Sequence, residues 1–265
     1  MIRNVGTIVL FFATLAPAQW LNTETKNVPR KADGTPNLAA PAPRTADGHP
    51  DLSGIWLAEK NKPCPPQGCD DMELIQEFTN IGWSIKGLPY QPWALNLVKS
   101  RQADNAKTDP GAQCRPVGIV KMYTSPFYRR FVQTPGMLIF LIERDTAYRQ
   151  IFTDGRVLPV DPNPTPNGYS AGKWDGDTLV IQTNGLPDGQ WLDRMGSPLT
   201  SEAQLTERFR RPSFGKLEIE LTVNDPKAYT KPWTVKLNQT IALDTEMIDF
   251  FCMENEKDSP HIVGK

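Results

Sequence analysis

Histidine is almost missing from this chain: 265 residues carry two, His49 and His261. That shortage excludes a histidine-rich metal site, and no metal ligand set is expected. It also leaves a Ser-His-Asp triad dependent on two residues near opposite ends of the chain. Surplus positive charge is missing too. Lys and Arg total 29 against 30 Asp and Glu, a net charge of −1, whereas a nucleic-acid surface shows as basic excess. No apolar run reaches the roughly 20 residues of a bilayer-spanning helix. Glycine-rich phosphate loops are absent, so no cofactor is expected, and there is no repeat at solenoid or propeller periods. What the chain does have is proline, 25 residues, with 19 glycines, which implies many turns and long ordered loops. Hydrophobic residues make up 39% of the chain, enough for a packed core.

Residues 1–18 read as a secretory signal. Arg3 precedes an apolar run from Val5 to Leu15, and Ala16-Pro17-Ala18 follows as a small-x-small cleavage site. A secreted or periplasmic location follows, with no membrane span in the mature chain. Export favours disulfides among the four cysteines. The expected pairs are Cys64–Cys69 and Cys114–Cys252, the alternative being free buried thiols. The gap within Cys64-Pro-Pro-Gln-Gly-Cys69 is not that of a zinc or redox pair.

Residues 19–50 show almost no apolar periodicity and read as an extended N-terminal arm. The folded domain is placed at residues 51–265, beginning at Pro50-Asp51-Leu52-Ser53-Gly54-Ile55-Trp56. A short helix is expected near Pro92–Ala106, and from Cys114 onward the pattern is β. Leu217, Ile219, Leu221 and Val223 alternate with Lys216, Glu218, Glu220 and Thr222, and the run Trp233–Leu243 reads as a similar strand. Asp154-Gly155 and Asp175-Gly176 are hairpin signals. About nine or ten strands after residue 114 suggest a barrel or a sandwich, and closure favours the barrel because it removes exposed edges. The expected fold is all-β, an antiparallel barrel with a long N-terminal arm and one or two short helices.

Gly54-Ile55-Trp56 is similar to the Gly-x-Trp that opens lipocalin-type barrels. The chain also resembles a large group of exported bacterial proteins with a lipocalin-like β-rich domain. The likeness rests on residues 50–56, Leu88–Ala94, Gly172–Val180, Glu207–Arg211, Asp225–Trp233 and Cys252-Met253-Glu254-Asn255. It implies a lipocalin-like barrel and export, and brings no settled activity. Members of the group often place a histidine before the Ser-x-Gly-x-Trp stretch and another after the following Gly-x-Pro. Here those positions hold Tyr169 and Leu199.

Alternation also selects candidate site residues. Glu207, Arg149 and Gln239 each interrupt an apolar face and so point inward. Buried charges need partners or a wet pocket, so two readings stand: a structural Glu–Arg pair completed by Gln239, or the polar floor of a ligand cavity. The loop Asn184–Thr200 reads as a lid carrying Trp191 and Asp193, or as a cap over the core. Asp175 and Asp177 flank a hairpin glycine, and Asn238-Gln239-Thr240 is a mid-strand sequon. Two functions survive. One is a binding module holding a small, partly apolar molecule, with Arg149, Tyr169, Trp174, Trp191 and Gln239 as ligand-binding candidates. The other is a lyase, isomerase or hydrolase using Glu207 or Asp193 as acid–base, with Tyr169 or Arg149 stabilising charge.

Overall fold

Along β10 (Lys216–Asn224) every second side chain is apolar, and Leu217, Ile219, Leu221 and Val223 are fully buried. Each such side chain taken out of water contributes about 1.5–3 kcal/mol, enough to fix which face turns inward. The structure, a computed structural model, describes residues 23–59 and 87–252. The signal segment 1–18, the Cys64–Cys69 pair, His261 and the 253–255 part of the tail lie outside the described residues. Among those described, no helix is long and apolar enough to cross a membrane.

The other strands are β1 (Gly54–Ala58), β2 (Arg129–Thr134), β3 (Met137–Ile142), β4 (Tyr148–Phe152), β5 (Tyr169–Asp175), β6 (Thr178–Asn184), β7 (Gln190–Trp191), β8 (Pro198–Leu199), β9 (Gln204–Ser213), β11 (Trp233–Lys236) and β12 (Gln239–Ile241). Nine of them close into a barrel in the order β1-β2-β3-β4-β5-β6-β9-β10-β12 and back to β1. Strand β11 extends the edge of β10 beside β12, while β7 and β8 form a separate ribbon. Among the described residues two α-helices accompany the sheet, α1 (Pro92–Ala103) and α2 (Gly118–Thr124).

Two expectations need correction. The barrel is not antiparallel throughout, because β4 and β5 run parallel, Ile151 beside Ser170 and Phe152 beside Ala171. A parallel neighbour needs a crossover rather than a hairpin. Residues 153–168, stiffened by Pro159, Pro162, Pro164 and Pro166, supply it. The second concerns Trp233–Leu243, which is two strands. At Leu237 and Asn238 the chain steps from pairing with Glu220–Val223 to pairing with Lys216, Leu217 and β1, so Asn238 lies at a break rather than mid-strand. Alternation runs straight through that break, since Leu237 and Gln239 both stay inward.

One barrel end is covered by the arm. Gly54 adopts φ +146°, and a Cβ there would lie 3.3 Å from the Trp56 indole nitrogen, so glycine lets the buried Trp56 fold back across the core. Arg211 lies over that ring at 4.9 Å and donates to the carbonyls of Asp51, Ser53 and Phe214. Burial pushes its guanidinium down to about 10. The arm itself contains a tandem motif, Pro29-Arg-Lys-Ala-Asp-Gly-Thr-Pro-Asn-Leu38 and Pro43-Arg-Thr-Ala-Asp-Gly-His-Pro-Asp-Leu52. Both copies close the same turn, Gly34 N donating to Lys31 O and Gly48 N to Thr45 O, each at 2.9 Å. In the second copy Arg44 grips Asp177 at 2.9 and 2.6 Å, and His49 stacks on Trp174 at 4.4 Å.

Hydrogen bonds from Arg44 hold the Asp177 carboxyl below its usual range, slightly opposed by burial. A depressed folded-state value gives stability that is full above the unfolded carboxylate value of about 4 and is lost as pH falls through the folded value. Amide protection at Thr45 and Asp51, corrected for intrinsic exchange, is therefore expected to drop below about pH 4. In Asp177→Asn that acid step should shrink, and an unchanged profile would show that the pair does not hold the arm.

Candidate functional site

The inward charges come from four adjacent strands. Arg149 on β4 and Glu207 on β9 meet across Ser170 on β5 and Thr183 on β6. The guanidinium binds the carboxylate in bidentate fashion, Nη1 to Oε1 at 3.0 Å and Nη2 to Oε2 at 2.5 Å. It also donates to the Ser170 and Thr183 hydroxyls at 2.9 Å each. Neither charged side chain is more than 1% exposed.

Helix α2 completes the network by entering the barrel mouth. All its residues but Lys121 are buried. Tyr123 lies parallel to Phe140 at 5.3 Å and edge-on to Phe209 at 6.1 Å. Its hydroxyl donates to Glu207 at 2.6 Å and accepts from Arg149 at 2.8 Å. Burial, then the Glu207 charge, pushes that phenol well above its usual range. Burial would depress Arg149, but Glu207 and Tyr123 overcome it and hold the guanidinium above its ordinary value. Both groups therefore keep one protonation state across ordinary pH.

Gln239 belongs to a neighbouring cluster. It accepts from Arg129, whose Nη1 also donates to the Tyr123 carbonyl, and its own amide donates to Leu237 O at 2.6 Å. Tyr123 thus ties two buried cations together, side chain to Arg149 and backbone to Arg129. Sequence reasoning placed Arg149, Glu207 and Gln239 inward, and it did not find Tyr123, Arg129, Ser170 or Thr183.

The mouth of the barrel holds a different group. Trp191, Leu192 and Asp193 are buried in the β7–β8 ribbon, so the segment expected as a lid is packed as a plug. Asp193 accepts from the Ser197 amide and hydroxyl at 3.0 and 2.8 Å, and that hydroxyl meets Tyr90 Oη at 2.7 Å. Trp191 lies under Arg101 at 4.5 Å and Lys121 at 5.5 Å. Lys121 donates to both oxygens of Asp109, at 2.6 and 2.7 Å. Burial lowers its ammonium pKa, and Asp109 opposes that shift.

The remaining candidates sit elsewhere. Tyr169 has the parity opposite to buried Ser170, faces the outer wall and accepts from Arg156 at 3.2 Å. Trp174, stacked on His49, lines a groove of about 970 Å³. Residues 153–158 of the β4–β5 crossover form one side, and Ala171, Lys173, Val180 and Gln182 of the barrel wall form the other. None of Arg149, Glu207 and Gln239 borders this groove or the other surface cavities described for the molecule. The candidates therefore divide among the sealed interior, the mouth and the outer wall. Glu207 and Asp193 have separate partners. Asp175 and Asp177 flank the β5–β6 turn and pair with Arg208 and Arg44. Among the described residues, no three His, Cys, Asp or Glu side chains gather as a metal ligand set.

Comparison with protein-family models, with curated proteins and with solved structures gave no match.

Proposed function

We propose that the chain is an exported barrel protein that binds a small, partly apolar molecule, and that the molecule sits on the barrel wall. The observation that carries this reading is the groove at Trp174. Its volume, about 970 Å³, is at the upper end of ligand-pocket sizes, about 300–1,000 Å³. Val157, 86% exposed, stands over it together with Leu158, and Arg156, Lys173 and Gln182 supply polar contacts. Apolar side chains left in water around an aromatic floor are what a partly apolar ligand covers.

Three further facts support the reading. The interior is filled by Tyr123 and the aromatic core, so the barrel acts as a rigid scaffold. Cys114 and Cys252 are bonded, as suits an oxidising compartment. The resemblance to exported lipocalin-like proteins points the same way. The acid–base alternative gains nothing from the geometry, since Glu207 is sealed against Arg149 and Asp193 is bound by Ser197.

Titration with the fluorescent probe 1-anilinonaphthalene-8-sulfonate tests the groove. Saturable enhancement is expected with the folded protein. Val157→Asp, a change at an exposed position, should weaken it about tenfold through lost apolar contact and repulsion of the sulfonate. Equal affinity in that variant, or no saturable signal, would remove the groove from consideration.

A further inference from the structure

Away from that groove, at the opposite end of the barrel, a smaller cleft of about 200 Å³ opens between the turn after α1, helix α2 and the β7–β8 ribbon. Its charged lining is Asp109, Lys121, Arg144, Asp193 and Arg194, and Ser125 and Thr124 complete the polar part. Both acids are already committed. Asp109 takes Lys121 on both oxygens and the Gly111 amide, and Asp193 takes Ser197 twice. Of the cations, Lys121 is paired with Asp109 and Arg144 with Asp145.

Among the described residues, two donors of the cleft lining have no hydrogen-bond acceptor. Ser125 is 6% exposed, and its hydroxyl has no hydrogen-bond partner, although its carbonyl is used by Arg129. Arg144 Nε is likewise buried without a hydrogen bond, although it is ion-paired with Asp145 Oδ2 at 3.5 Å. Arg144 is nonetheless held in place. Its Nη2 donates to Gly111 O at 2.8 Å, and a Cβ on residue 111 would come within 3.0 Å of that same nitrogen. Leaving a buried donor unmade is costly, and the cost disappears when an acceptor enters. An amine or other cation would bring the wrong polarity, and a neutral apolar molecule would leave both donors empty.

We infer that this cleft binds a small monocarboxylate of about two to four carbons, its carboxylate taken by Arg144 and the Ser125 hydroxyl. The cleft is below the roughly 300 Å³ at which drug-sized ligand sites begin. Gly111 and Ala112 provide room for a short carbon tail but no wide apolar wall. Guanidinium and hydroxyl donors suit a planar carboxylate.

The test is calorimetric titration of the whole disulfide-bonded protein with acetate and butyrate, using acetamide as the neutral isostere and inorganic phosphate as the competing oxyanion. Saturable 1:1 binding of a carboxylate and none of acetamide is expected. Ser125→Ala, which removes only the unsatisfied hydroxyl, should weaken binding about tenfold. Arg144→Gln should weaken it more than a hundredfold, with its melting curve recorded alongside. Should Arg144→Gln fail to fold, Ser125→Ala decides the matter. No saturable carboxylate binding, equal binding of acetamide, preference for phosphate, or an unchanged constant in Ser125→Ala would each overturn the assignment. The probe-binding groove is untouched by these variants, so either site can fail without the other.

Discussion

Glu207→Gln is expected to destabilise the protein by about 3–5 kcal/mol, the usual cost of removing one partner from a buried ion pair. The glutamine fits the space but leaves the Arg149 guanidinium, fully buried, without its counter-charge. It also turns an N–H toward a group that has only donors to offer. Tyr123 adds to the loss, because its hydroxyl donates to Glu207 Oε1, and a neutral amide oxygen is a weaker acceptor than a carboxylate. A double variant, Glu207→Leu with Arg149→Met, should be less destabilised than either single change, since no unpaired charge remains. Urea denaturation of Glu207→Gln, of the two single changes Glu207→Leu and Arg149→Met, and of the double variant measures the differences. A Glu207→Gln variant within about 1 kcal/mol of the parent would mean the pair is not what holds α2 in the barrel mouth. In the folded fraction, probe binding at the outer groove should stay unchanged, which separates a structural carboxylate from one that serves a ligand.

The second large effect is expected from Cys114→Ser combined with Cys252→Ser. The bond closes a loop of sequence separation 138, for which loop-closure entropy gives about 5 kcal/mol at 25 °C, against typical measured values of about 2–4 kcal/mol. The bond also pins residues 244–252 against the β3–β4 turn. There Asp145 N donates to Phe250 O at 2.7 Å, Cys252 N to Asp145 at 3.1 Å and Ile248 N to Glu143 at 3.0 Å. Releasing that segment loosens the turn that carries Arg144, so carboxylate affinity at the mouth should fall together with the melting temperature. A loss in the range of about 2–5 kcal/mol is expected by thermal or denaturant unfolding. If the melting temperature moved by less than about 2 °C, the polar contacts at Asp145 and Glu143 alone would be holding the segment.

Alternation made Glu207, Arg149 and Gln239 legible, because one polar residue on an otherwise apolar face stands out wherever a strand is long. It could not show Arg129, because β2 begins Arg129-Arg130 and the pattern does not say which arginine turns in. Tyr123 was hidden for another reason. Its helix is only seven residues, Gly118–Thr124, too short for a helical period to show, in a region where the pattern reads as β. Parity cannot supply neighbours either. It put Glu207 and Gln239 on one surface, but their partners depend on which strands adjoin, and β9 reaches β12 only through β10. Trp191 and Asp193 looked like lid residues because their loop is rich in glycine. They are buried because the β7–β8 ribbon folds down onto α2. The tandem arm motif has no apolar period, and it docks through single polar and ring contacts that parity cannot show: Arg44 with Asp177, His49 with Trp174, and the backbone of Leu38, Ala40 and Asp51 with Gly215, Phe214 and Arg211.

The strand count of the barrel carries an arithmetic consequence. Around a closed ring whose neighbours all oppose one another, directions must alternate, and alternation returns to its start only when the number is even. With nine members the ring must contain an odd number of like-directed seams, and here there is one, between β4 and β5. A seam of that kind obliges the chain to travel back along the outside before it can re-enter the sheet, so the overhang that shelters Trp174 is a by-product of closing an odd ring. Replacing residues 153–168 by a tight two-residue turn would reverse β5 and every later strand, and β12 could then no longer meet β1 in its present sense. The overhang can vary in sequence, but it cannot be trimmed away without opening the ring.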